Sequence, residues 1–280
     1  MALVLSKQRD FIIIINLMKF QCEKKAPNNC IVKNNCVSLR CIRNNTCPSW
    51  MRNAKTLTTF WGGLLFYDIM EKNKVIVYVD GFNFYYGLKA ISSRDSKWKK
   101  FYWLDVVSFF QKMLNDKQEL VEVNYFSARP HDEAAAKRQD LFFSANKLNP
   151  KFRLTLGKYL KKELLCKHCK NHIHSYEEKE TDVRIATQII NDVYKKRCDI
   201  SIIVSADSDI IPAVELVREL NPAHKIFVYF PPLRHSVSLS NCCDAVRKLS
   251  DYKARFNQSM LPDNVMLLNE TLISRPDNWK

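Results

Sequence analysis

The chain has 280 residues, 46% of them hydrophobic and 11% aromatic, which is enough to fill one substantial domain or two small ones and excludes global disorder. A formal charge of +15 favours an anionic partner, nucleic acid being the commonest for a basic protein; the plainer alternative is a basic surface kept for solubility.

At the N-terminus, Phe11 to Ile15 with Leu17 and Met18 form an apolar run far short of the ~20 residues that span a bilayer. Lys19 and Phe20 stand where a signal peptide would carry small residues. The predicted location is therefore cytoplasmic, with no membrane partner and with the cysteines kept as thiols rather than as a disulfide framework. Residues 1–69 hold ten Lys and Arg against three Asp and Glu, and five of the ten cysteines. Within them, residues 20–56 follow neither a helical nor an alternating period. We expect residues 1–69 to be an N-terminal extension, poorly ordered or a misassigned start with Met70 as initiator, ahead of a working domain at 70–280. The alternative is a cysteine-rich arm that binds metal or a partner, although its spacings match no zinc signature.

From residue 70 the pattern alternates. Val75–Val79 reads as a buried strand that ends on Asp80, with Gly81 and Asn83 just beyond. Leu104–Leu114 is amphipathic, with Leu104, Val107, Phe110, Met113 and Leu114 on one face. Val121–Ala128 reads as a strand and Asp132–Leu148 as a helix. Phe152–Leu165 is predicted to be a hairpin or a pair of strands, the start of an insert near 152–180. Thr181–Tyr194 is a helix with Thr181 as N-cap and a stripe of Val183, Ala186, Ile189, Ile190 and Val193. Ile200–Val204 is a second apolar strand, Ile210–Leu220 a helix, and Ile226–Phe230 a third strand. Apolar strands alternating with amphipathic helices predict an α/β fold, a mainly parallel sheet covered on both faces.

In such a sheet ligands bind beyond the carboxyl ends of the strands, where strand order reverses. Asp80 with Asn83, and Asp207 with Asp209 in "IIVSADSD", stand at two such ends; Asp182 opens a helix. Singly, each has a plainer reading as a turn residue, a cap, or a charge at a helix N-terminus. Four carboxylates on one edge would repel and raise one another's pKa unless a cation lay between them, and Mg²⁺ or Mn²⁺ suits that charge. Such an ion could activate water for attack on a phosphodiester held by surrounding Lys and Arg. Phe84, Tyr85 and Tyr86 could stack bases of a single strand; for at least two of the three, core packing is the expected role. A phosphatase with an aspartyl nucleophile would need a second acid at position 82, where Phe82 stands. Neither a glycine-rich dinucleotide fingerprint nor a phosphate loop is present. Metal-dependent hydrolysis or no catalysis remains.

The segments "YVDGFNFYYGL", "EKETDVRIA" and "IIVSADSDIIPAVELVREL", followed by "VYFPPLRHSVSL" and "MLPDNV", resemble the NYN domain family, a branch of the PIN-like ribonucleases, over about residues 74–266. The resemblance implies a three-layer α/β/α sandwich with a PIN-like sheet and a Mg²⁺- or Mn²⁺-dependent endoribonuclease acting on single-stranded or structured RNA. It maps the family's acidic site onto Asp80, Asp182, Asp207 and Asp209, with Asn83 beside the first. The alternative is a non-catalytic RNA-binding or regulatory module on the same fold.

Two further groups stand out. In "CKHCKNHIH", Cys166 and Cys169 have zinc-knuckle spacing, and His172 and His174 could complete four Zn²⁺ ligands; the competing reading is a hairpin tip with reduced thiols. Arg234, His235 and Ser236 follow the third strand and are candidates for gripping a phosphate, against ordinary loop chemistry. Tyr85 joins them as a candidate RNA contact.

Overall fold

The computed structural model describes residues 72–165 and 172–280, together with three short strands nearer the N-terminus. The chain divides after Met70 into two units. In the first, β1 (Leu3–Gln8), β2 (Phe11–Asn16) and β3 (Ser38–Cys41) form an antiparallel sheet in that order. The rest of the expected extension, with most of its cysteines, lies outside the described residues.

The second unit is built on a seven-stranded sheet of order β10-β9-β8-β4-β5-β6-β7. Its strands are β4 (Asn73–Asp80), β5 (Gln118–Ala128), β6 (Phe152–Leu165), β7 (His172–Lys179), β8 (Ile200–Val204), β9 (Lys225–Phe230) and β10 (Ala245–Lys248). Every neighbouring pair is parallel except β6 with β7. β4 is central, and Val75 through Val79 have no exposed surface. Burying each aliphatic side chain contributes about 1.5–3 kcal/mol, which is why five consecutive apolar residues are needed here instead of alternation.

The two faces of the sheet carry separate clusters, giving the three-layer α/β/α sandwich. Val75, Val77 and Val79 point to one face, against Phe84 and Leu88 of α1 (Gly81–Ser92), Val107 and Phe110 of α2 (Val106–Met113), and Phe142 and Phe143 of α3 (Glu133–Asn146). Ile76 and Tyr78 point to the other, against Ile185 and Ile189 of α4 (Thr181–Tyr194), Val214 and Val217 of α5 (Ile211–Leu220), and Leu239 of α6 (Val237–Cys242). The C-terminal segment closes the first face through α7 (Lys253–Asn257), an antiparallel pair of β11 (Asn264–Met266) with β12 (Leu272–Ser274), and Trp279 against Tyr102 and Trp103.

Three expectations change. Phe152–Leu165 is one long strand, not a hairpin in itself; its partner is β7, on the far side of the Cys/His tip. Only its first half belongs to the parallel sheet, and from Lys158 to Leu165 it pairs with β7 alone as a two-stranded ribbon. Thr181 is not the N-cap: Glu180 holds that place with a left-handed φ of 78° and no capping side-chain bond. The inward stripe of α4 runs through Ile185, Ile189 and Val193, leaving Val183 exposed. No helix among the described residues is long and apolar enough to cross a membrane.

Candidate active site

β4 and β8 are neighbours, with Val79 opposite Val204. From β4 the chain continues to β5 and β6 on one side, and from β8 to β9 and β10 on the other. The reversal of order therefore falls between the ends of β4 and β8, where the next residues are Asp80 and Ser205. That crevice is where open α/β sheets bind ligands.

Asp80 ends β4 and caps α1 without any intervening turn. Its Oδ1 accepts from the backbone N–H groups of Phe82 (3.1 Å) and Asn83 (3.0 Å). Its Oδ2 accepts from Asn83 Nδ2 (2.6 Å) and from Ser205 Oγ (2.8 Å). Four donors fill the lone-pair positions of a carboxylate that is only 3% exposed. Burial pushes its pKa up, the hydrogen bonds oppose that shift, and the charge of Asp207 adds to it. Gly81 is required by packing: a Cβ there would lie 2.5 Å from the Phe126 carbonyl oxygen and 2.6 Å from Tyr125 Cε1.

Ser205 is fully buried and works in both directions. It donates to Asp80 and accepts from the backbone N–H of Asp207 (3.0 Å), tying the ends of the two strands together. Asp207 caps a short 3-10 turn, Ser208–Ile210, with Oδ1 accepting from the Asp209 N–H (3.0 Å). Asp182 sits in the first turn of α4 at the exposed rim. Its pKa is pushed up to about 6, first by burial of its surroundings and then by the negative charges of Asp207, Asp80 and Asp209. The structure thus brings the four predicted acids within electrostatic reach of one another.

They are not equivalent. Asp80 is saturated by protein donors, whereas the carboxylates of Asp182 and Asp209 and the second oxygen of Asp207 have no donor or cation among the described residues. Nor do three such side chains converge tightly enough among the described residues to enclose an ion. Open, hard oxygen donors on a single edge suit a hydrated Mg²⁺ or Mn²⁺, which keeps several waters and takes only one or two carboxylates from the protein. One or two of the open carboxylates of Asp182, Asp207 and Asp209 could therefore hold such a hydrated ion, with the hydrogen-bonded Asp80 as a fixed negative charge beside them. Asn83 lies beside the first acid, as expected, and its amide nitrogen donates to Asp80.

The other predicted contacts separate. Tyr85 and Tyr86 are 40% and 44% exposed and only Phe84 is buried, so the expectation that at least two of the three are core residues is overturned. Helical phase decides it: Phe84 and Leu88 share the inward face. Arg234 is exposed and has no ion pair among the described residues, so it is free to meet a phosphate. His235 packs on Phe230 (centroids 4.7 Å apart) and lies 3.4 Å from Ser240 Oγ. Ser236 caps α6 by accepting from the Leu239 N–H, so its hydroxyl oxygen is already engaged. Cys166 and Cys169 lie outside the described residues. His172 and His174 have described backbone in β7, opposite Leu165 and Glu163, but their side chains are also outside the description. Ser205 is the site residue that the sequence reading passed over, although a hydroxyl directly after the apolar Ile202–Val204 run and two residues before Asp207 was its signal.

The profile described as NYN domain matches residues 74–250. Among curated proteins, the chain is similar to 6-hydroxy-3-succinoylpyridine 3-monooxygenase HspA of Pseudomonas putida (strain DSM 28022 / S16). The identity is 26% over 184 residues, 53% of this chain and 56% of that protein, so the chain spans about half the length of this relative. Among solved structures it is similar to VPA0982 of Vibrio parahaemolyticus RIMD 2210633, a protein of unknown function. That match has a TM-score of 0.45 and 21% identity, covering 63% of this chain and 93% of that one. The matched span runs from the first residues of β4 to just past β10 and contains all four acids and Ser205; by this match, the chain belongs to the NYN domain family.

Proposed function

We propose that the chain is a metal-dependent endoribonuclease that hydrolyses RNA phosphodiester bonds at the edge between β4 and β8. The observation that carries this reading is the set of unpartnered carboxylate oxygens on Asp182, Asp207 and Asp209, gathered around a buried and fully hydrogen-bonded Asp80. A net charge of +15 supports an anionic substrate, and NYN domains share a PIN-like nuclease fold.

A bound Mg²⁺ or Mn²⁺ supplies Lewis acidity, lowers the pKa of water and offsets charge on the leaving oxygen. The residues do the rest. Asp80 is held rigid by Asn83 and Ser205, so the negative potential at the strand end has a fixed origin. Asp182, whose carboxyl is pushed up to about 6 by burial and the neighbouring acids when no cation is present, would be returned to its ionised form by a bound cation and so favours cation binding at this edge. Asp207 and Asp209 are oriented by their own short turn. Arg234 is available to hold the phosphate backbone.

One observation favours the non-cleaving alternative: the saturation of Asp80, which must give up a donor before it could hold an ion directly. The deciding experiment incubates the full chain with labelled single-stranded and structured RNAs in Mn²⁺, in EDTA, and as Asp209→Asn in Mn²⁺. Cleavage by the wild type with metal alone is the expected result. RNA that is bound but intact in all three arms overturns the nuclease reading in favour of a binding module.

A further inference from the structure

On the first face of the sheet, a cavity of about 490 Å³ begins where the acidic edge ends, its wall including Gly81, the residue after Asp80. Its volume falls within the range of about 300–1,000 Å³ usual for small-molecule sites. Tyr85 and Tyr86 stand on its α1 side, Arg138 and Gln139 on its α3 side, and Tyr125 of β5 and Trp279 complete it.

Two groups in this cavity are not engaged by protein partners among the described residues. Tyr125 is only 5% exposed, with its ring packed against Phe142, Phe143 and Phe152 at centroid distances of 5.7–5.9 Å. Its hydroxyl makes no hydrogen bond among the described residues and is not one of the fully buried unpartnered atoms, so it opens into the cavity as an available donor. Burial, followed by the charge of Asp80 and the neighbouring Tyr85, holds this hydroxyl protonated, so it is a standing donor beside the acidic edge. Arg138 is half-buried, lies close enough to Tyr85 to act on its ionisation, and pairs with no carboxylate among the described residues. Gln139 spends its amide nitrogen on Ser127 and Ala128, leaving its carbonyl oxygen as an acceptor.

Aromatic faces, an unspent hydroxyl and an unpaired guanidinium together recognise a planar heteroaromatic ring that carries an anion. We propose that this cavity receives one unstacked nucleobase of the RNA strand. The base stacks on Tyr85, the Tyr125 hydroxyl donates to its edge, and Arg138 holds an adjoining phosphate. The nuclease reading explains why a base should arrive here, and the pocket in turn assigns that nuclease an unpaired nucleotide beside the scissile bond. A base inside a duplex cannot enter without leaving its stack.

The test separates the two readings. The full chain in EDTA is titrated with nucleoside 5′-monophosphates, with ribose 5-phosphate and with a phosphate-free hydroxypyridine, read by calorimetry and by tryptophan fluorescence. Saturable nucleotide binding is expected, about tenfold weaker in Tyr85→Ala, the scale of one base–aromatic stack. Tyr125→Phe keeps the ring and loses no protein hydrogen bond, so it folds like the wild type, and its nucleotide affinity falls roughly threefold to tenfold. The pocket is overturned if nucleotides do not bind, if ribose 5-phosphate or the hydroxypyridine binds as tightly, or if Tyr125→Phe binds as the wild type does. Nucleotide binding without Mn²⁺-dependent cleavage leaves the pocket standing and removes the nuclease; cleavage without nucleotide binding does the reverse.

Discussion

Replacing Ser205 by alanine removes one oxygen atom and two hydrogen bonds from the point where β4 and β8 end. The first bond, to Asp80 Oδ2 at 2.8 Å, has an ionised acceptor and contributes about 1.5–3 kcal/mol. The second, from the Asp207 N–H at 3.0 Å, is a neutral bond contributing about 0.5–1.5 kcal/mol. Ser205 is fully buried, so water does not replace either bond, and Ser205→Ala should destabilise the protein by about 2–4 kcal/mol. For a folded unit of roughly this size each kcal/mol lowers Tm by about 2–4 °C, so the expected shift is roughly 4–16 °C. The assay is thermal and urea unfolding in EDTA at pH 7, on the wild type, Ser205→Ala, Asp80→Asn and the double variant. A coupling of at least about 1 kcal/mol between the two positions is expected, since they share a charge-assisted bond. A Ser205→Ala Tm within a degree of wild type, or strictly additive variants, would refute the claim that this hydroxyl locks the acidic edge.

Three other outcomes follow from the same structure. The folded-state pKa of Asp182, near 6, lies above the ordinary carboxylate value, so its contribution to stability is fully present below about 4 and is lost as pH rises through 6. Metal-free protein should therefore melt higher at pH 5 than at pH 7.5, and Asp182→Asn should flatten that slope and raise the neutral-pH melting point; an unchanged slope contradicts it. Arg197 bridges buried Asp192 (2.6 Å) and Glu122 (3.0 Å), while Tyr78 and Gln188 supply further donors to Asp192. Arg197→Met removes the cation paired with buried Asp192, while Glu122 keeps Arg153, and should cost about 3 kcal/mol in urea unfolding, with a loss below 1 kcal/mol as the contrary result. Gly81→Ala forces a methyl group against the Phe126 carbonyl and the Tyr125 ring. We expect a loss of about 1–3 kcal/mol together with weakened nucleotide binding, and a fully stable variant would show that the contact relaxes freely.

The elements that place the acids were the easiest to read. Val75–Val79 and Ile200–Val204 declare themselves because a strand covered on both faces is nearly all apolar, Ser201 being the one polar residue and bonded to His224, and each then meets polar residues at its carboxyl end. What failed depended on pairing or on backbone conformation at a distance. Thr181 looked like a cap because nothing local shows that Glu180 turns through a positive φ as it leaves the ribbon. Phe152–Leu165 looked self-paired because its true partner follows the Cys/His tip. β10 escaped notice as four residues with little burial. The exposed tyrosines are a different kind of miss, since the Phe84–Leu88 spacing already fixed which side of α1 faces inward. The positions of Tyr125 and Arg138 depend on the register of β5 and the seating of α3, which no local pattern carries.

The ribbon of β6 and β7 has a consequence for how this chain can change length. Eight register pairs run from Lys158 opposite Lys179 at the base to Leu165 opposite His172, an arm of roughly 24 Å. One residue past the base, Glu180 is gripped by Lys158 (3.5 Å) and Arg184 (2.7 Å), and Asp182 stands two positions further on. Adding or deleting one residue in each strand beyond the base leaves that grip and the acid untouched. An unmatched single insertion slips the pairing and turns every later side chain to the opposite face. Relatives should therefore differ in the paired strands of this arm, outside its tip, by even numbers of residues, with the boundary between what drifts and what is held falling at Glu180.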